Sequence, residues 1–159
     1  MHRLYLILMG VVLAACGNEP AVLDVPSPDA AVFASDVYPI LLRDCGFPAC
    51  HGARDRFFQV LGPGRTRELP MTLPDDPATP TEVMFSYTRA RSMLANDGSV
   101  LESPLLRKPL AKGAGGAGHK GDDNWGRNVY ATKSDPAYAL LLRWALASEA
   151  APAAQGAAP

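Results

Sequence analysis

Two cysteines five positions apart, Cys45 and Cys50, with His51 directly after the second, are the feature that most restricts how this chain can fold. Two thiols and an adjoining imidazole are the set that covalent haem attachment uses. Each thiol adds to one haem vinyl group, and the histidine ligates the iron. In the usual signature two residues separate the cysteines; here Gly46, Phe47, Pro48 and Ala49 intervene. Thiols this close are also easily bridged, and Pro48 would help turn the chain. A Cys45–Cys50 disulfide is therefore the competing reading, contributing about 2 kcal/mol through loop entropy. The first reading asks more of the fold, because a haem is a flat, largely apolar disc whose two faces must be covered and whose iron needs at least one axial ligand.

The first residues bear on where such chemistry could occur. Arg3 supplies a short positive region, Leu4 to Leu13 an apolar run, and Leu13-Ala14-Ala15-Cys16 a lipoprotein cleavage box. The apolar run is too short to span about 30 Å of hydrocarbon as a helix. Residues 1–15 are thus expected to be a lipoprotein signal peptide, with Cys16 carrying lipid. Each buried methylene contributes about 0.8 kcal/mol, so two or three acyl chains would hold the protein on a membrane surface. Gly17 rather than Asp after Cys16 favours the outer over the inner membrane. An exported compartment permits disulfides and is also where bacterial haem attachment takes place, so location leaves both readings open.

With Cys16 assigned to lipid, Cys45 and Cys50 are the remaining cysteines, and His51 and His119 the remaining histidines beyond the signal segment. The net charge of −1 holds no basic excess that would suggest nucleic acid. Residues 16–31, with Pro20, Pro26 and Pro28 among small and acidic side chains, read as a flexible tether. Residues 149–159, nearly all Ala, Pro and Gly, read as a disordered tail. One folded domain is expected over 32–148.

Helix signals dominate that span. Ser35 can cap a first helix with Val37, Ile40 and Leu41 on one face, delivering the chain to Cys45. Thr79-Pro80-Thr81-Glu82 is a capping box, and Val83, Tyr87, Ala90 and Leu94 then recur at helical spacing. Ser103-Pro104 can start a short turn. Ser134 can cap a last helix in which Tyr138, Leu141, Leu142 and Ala145 form a stripe widened by Trp144. Long irregular stretches lie between, over 62–78 and 112–133. The fold class expected is mainly α with long irregular loops.

For an iron held by His51, the second axial ligand has two candidates. His119 lies among glycines, whose backbone can bend closely over a ring. Met71 follows Pro70 in a loop and is the alternative distal ligand, while Met84 and Met93 fall in the second helix, where packing is the commoner role. Arg65, Arg67, Arg89, Arg91, Arg107 and Lys108 could neutralise haem propionates, although scattered charges are ordinarily solvated. The glycine-rich stretch lacks the Gly-Lys-Ser/Thr ending of a phosphate loop, and Asp122-Asp123-Asn124 lacks the spaced oxygens of a calcium loop. No nucleophile–base arrangement stands out, so no catalytic residue is expected.

Taken together, Val37-Tyr38-Pro39-Ile40-Leu41 leading to Cys45, then Cys50-His51-Gly52, Ser103 to Pro109, the glycine-flanked His119 and Tyr138 to Trp144 resemble the planctomycete-type cytochrome c-like domains. The resemblance implies a small cytochrome c-like fold, one covalent haem c held through Cys45 and Cys50, electron transfer as the activity, and a redox protein as partner. The widened Cys45–Cys50 spacing departs from the pattern, as does the lack of any Met after Met93. The alternatives are a haem-free envelope lipoprotein with a Cys45–Cys50 bridge, and a peroxidase-like protein with an open distal site.

Overall fold

The computed structural model describes residues 25–95, 98–119 and 129–150. Asp29 opens the first helical element because its carboxylate accepts the N–H groups of Ala31 and Val32 at 2.7 and 2.9 Å. Helix α1 (Ala30–Val32) runs through a π-helical turn at Phe33–Val37 directly into α2 (Tyr38–Asp44). The wide turn lies just ahead of Pro39, which has no N–H to give to the carbonyl four residues back and whose ring would crowd it. Ser35 is therefore inside the rod rather than at its start, with its hydroxyl bonded back to the Ala31 carbonyl at 3.2 Å.

The capping box at Thr79 forms as the sequence indicates, with Glu82 and Thr79 exchanging hydrogen bonds at the head of α3 (Pro80–Ser92). Short helical turns follow at Val100–Glu102 and α4 (Pro104–Arg107). The final helix, α5 (Pro136–Ala150), is capped by Asp135 rather than Ser134, since the Asp135 carboxylate accepts from Ala137 N at 2.9 Å. Among the described residues there is no strand beyond one isolated parallel bridge between Leu110 and Tyr130. The mainly helical class with long loops is what the structure has.

Phe33 joins the elements. It is fully buried, with ring centroids 5.3 Å from both Tyr87 of α3 and Trp144 of α5, a spacing at which aromatic edges and faces attract. The polar ends of those partners reach the same short segment. Tyr87 donates to the Pro28 carbonyl at 2.6 Å, Trp144 Nε1 to the Asp29 carbonyl at 2.9 Å, and Arg91 Nε to the Pro26 carbonyl at 3.0 Å. Val25 to Ala31, assigned to the tether from sequence, is thus bonded to the body. At the other end Glu149 accepts the Val100 N–H at 2.6 Å, so the last helix outruns the expected boundary. No described helix is long and apolar enough to cross a membrane. The signal peptide, the lipidated Cys16 and the tail beyond Ala150 lie outside the described residues.

The long loop before α3 is held by a buried ion pair. Arg67 makes a two-pronged contact to Glu82, at 2.8 and 2.9 Å, and its remaining N–H groups go to the carbonyls of Leu73, Asp76 and Pro77. Glu82 also accepts the Glu68 and Thr79 amides. The pair is buried, yet its donors and acceptors are matched, which is the condition under which burying charge is tolerable. The Arg67 guanidinium holds the Glu82 carboxyl down at about 2, against 4.5 ordinarily. A depressed carboxyl contributes its stability in full above its unfolded value and loses it as pH falls through the folded one. The domain is therefore expected to weaken progressively between about pH 4.5 and 2. Glu82→Gln, which leaves Arg67 buried without its counter-charge, is expected to cost about 3–5 kcal/mol at neutral pH and to flatten that acid limb; urea titrations across pH check both.

Candidate functional site

Cys45 ends α2, its backbone N–H bonded to the Leu41 carbonyl at 2.9 Å. The chain then closes a tight loop. Cys50 N–H bonds to the Phe47 carbonyl at 2.8 Å, Gly52 N–H to the same carbonyl at 3.0 Å, and His51 N–H returns to the Cys45 carbonyl at 3.0 Å. Gly52 packs against Gly46 so closely that a Cβ there would overlap the Gly46 carbonyl oxygen. Only glycine allows that approach, which gives the residue after His51 its reason. Both cysteines carry free thiols.

His51 is held from the other side by the chain at 58–60. Its Nδ1 lies 2.8 Å from the Phe58 carbonyl oxygen, and its own carbonyl accepts the Val60 N–H at 2.8 Å. A carbonyl can only accept, so Nδ1 carries the proton and Nε2 presents a bare lone pair, the tautomer a metal ligand needs. Burial lowers the His51 pKa below its ordinary 6.5, with Arg56 adding to the effect and the Phe58 bond opposing it. Burial thus favours the neutral form of the imidazole.

His119 reaches the same place from the far side of the sequence. The glycine-rich stretch folds back over α4: Gly116 N–H bonds to the Ala111 carbonyl, Ala117 N–H to the Arg107 carbonyl and Gly118 N–H to the Leu110 carbonyl. Gly116 lies against the Leu110 carbonyl with no space for a side chain. The fold delivers His119 with its ring centroid 5.7 Å from that of His51, the two planes at 85°.

The two rings line a cavity of about 270 Å³ bordered by α2, α4 and α5. Leu41 of α2, Met93 beyond α3, Leu105 of α4 and Leu141 of α5 supply apolar wall, and Cys45 contributes its thiol. Burial pushes that thiol up to about 12, with Asp44 and Cys50 adding to the shift. Arg56, Phe57 and Lys108 are exposed lining residues and mark the mouth. Among the described residues no group of three or more His, Cys, Asp or Glu side chains could hold a bare metal ion.

Of the residues singled out from sequence, Cys45, His51 and His119 line this cavity, and Cys50 does not. Met71, the alternative distal ligand, is 90% exposed and no part of the wall. Lys108 alone among the suggested propionate partners is at the cavity; Arg67 is committed to Glu82, Arg107 to Glu102, and Arg89 lies over the Phe85 ring. Sequence reasoning missed Arg56 and Phe58, which carry no periodic signal. Met93 packs against the core, as its sequence reading indicates, and adds to the cavity wall.

Comparison with protein-family models, curated proteins and solved structures finds no match to this chain.

Replacing Gly52 by Ala is expected to cost about 1–3 kcal/mol, the usual range for forcing extra volume into a packed site. Because the strain falls between Gly46 and His51, the mutant's His51 resonances should move in NMR spectra while those of the Phe33–Trp144 core stay in place.

Proposed function

We propose that this chain is a lipid-anchored, c-type cytochrome-like protein that holds one haem between His51 and His119 and passes electrons in the cell envelope. The observation that carries the reading is the convergence of Cys45, His51 and His119, separated by as many as 74 positions, on one apolar cavity. Among the described residues no three His, Cys, Asp or Glu side chains, Cys45 included, form a group that could hold a bare metal ion, and two imidazoles are too few for a site of the usual three or four ligands. They are the right number for a metal whose other four positions a macrocycle fills. The resemblance to planctomycete-type cytochrome c-like domains points the same way.

Bound iron would supply the chemistry by alternating between its ferrous and ferric states. The chain's own residues bind and tune. His51 offers Nε2 because the Phe58 carbonyl fixes its proton on Nδ1. His119 offers a second imidazole, and a pair of histidines favours a lower potential than histidine with methionine. Leu41, Leu105, Leu141 and Met93 exclude water. Arg56 and Lys108, both lining the cavity, are the cations that could pair with carboxylates of a bound ring. No substrate bond changes in this role, so the protein is read as a carrier, not an enzyme. Phe57, 73% exposed at the cavity mouth, marks the side that a redox partner would approach. The anchor at Cys16 would keep the domain on the non-cytoplasmic side, with the outer membrane favoured.

Full-length protein expressed with haem-attachment machinery should stain for haem after denaturing electrophoresis; a colourless band would overturn the reading. His119→Ala should turn a six-coordinate low-spin spectrum into one that binds carbon monoxide when reduced. An unchanged low-spin spectrum would remove His119 as the ligand.

A further inference from the structure

Building on that reading, we propose that the haem is held by a single thioether, to Cys45, and that Cys50 remains a free thiol beside it. The closed loop separates the two cysteines. The backbone bond from His51 N–H to the Cys45 carbonyl at 3.0 Å sets these two residues side by side across the loop's neck, and both line the cavity. The intervening residues are spent on a turn centred on the Phe47 carbonyl, which accepts from both Cys50 and Gly52. Cys50 belongs to that turn and contributes nothing to the cavity wall. Nor can the turn slide to swing Cys50 inward, because Gly46 and Gly52 are in contact with no space between them. The two extra residues of the widened spacing are therefore absorbed on the outside of the site.

The bond at Cys45 is a simple addition. Its S–H adds across the C=C of a haem vinyl group, forming one S–C bond and sending the thiol hydrogen to the other vinyl carbon. No electrons are gained or lost, and no further reactant is consumed. The second vinyl group stays unsaturated.

The test uses the full chain, loaded by haem-attachment machinery, denatured and treated with iodoacetamide. Trypsin releases both cysteines on one peptide, Asp44–Arg54, so fragment ions assign the modification. Haem on Cys45 with carbamidomethyl on Cys50 is the expected result. The reduced pyridine adduct should then show the red-shifted α band of a haem with one vinyl left. Cys50→Ala should keep haem through denaturing electrophoresis, and Cys45→Ser should lose it. Haem linked to both cysteines, or to Cys50 alone, would overturn the single-bond proposal while leaving the cytochrome reading intact. Haem-free protein with Cys45 and Cys50 joined to each other would overturn both.

Discussion

The site depends on how the backbone grips His51. A side chain proposed to meet a metal gains from being held off its free rotamers, and here the peptide units on both sides of it are fixed. Its N–H is tied to Cys45, its carbonyl to Val60 and its ring to the Phe58 carbonyl. Three bonds to three separate points of the chain set position, direction and tautomer together. Backbone partners of this kind survive substitution of the side chains that carry them, so the orientation is a property of the loop path. Gly52 makes that path possible by letting the strands of the loop touch.

The core and the cavity adjoin. The Phe33, Tyr87 and Trp144 rings hold the π-helical turn, α3 and α5 together, and the Arg67–Glu82 pair fixes the long loop to the head of α3, none of them lining the cavity. The cavity draws one or two residues from each of α2, α4 and α5 and the others from the three loops between the helices. Leu41, Leu105 and Leu141 of its wall belong to the same apolar cluster as those three rings, so the core that joins the helices also shapes the cavity. The glycine-rich arm, laid across α4 through bonds to Arg107, Leu110 and Ala111, then completes the wall with His119.

Much of this was legible in the order of residues, and the exceptions are instructive. The Thr79–Glu82 box formed as written because its parts are local: cap, proline and acid lie within one turn. Of the stripe Tyr138, Leu141, Leu142 and Ala145 with Trp144 beside it, all are buried as the spacing indicated except Leu142, which is half-buried. Ser35 and Ser134 misled because a nearby aspartate, Asp29 in one case and Asp135 in the other, is also an effective cap, and local pattern does not rank the two. The meeting of His51 with His119 was suggested by residue type and by resemblance, while Phe58 as the partner of Nδ1 was beyond reach. A backbone carbonyl has no sequence signature, and the bond depends on a turn that only the folded chain displays. Met71 was a fair candidate by chemistry, but the carbonyls of Leu73, Asp76 and Pro77 bind its loop to Arg67 on a different side of the body.

The docking of Pro26, Pro28 and Asp29 has a mechanical consequence. Any load applied through the preceding residues enters the body at Arg91, Tyr87 and Trp144, on α3 and α5, before it can reach α2. A domain leashed at that end would be pulled first through the Phe33, Tyr87 and Trp144 rings, ahead of the loop carrying Cys45 and His51.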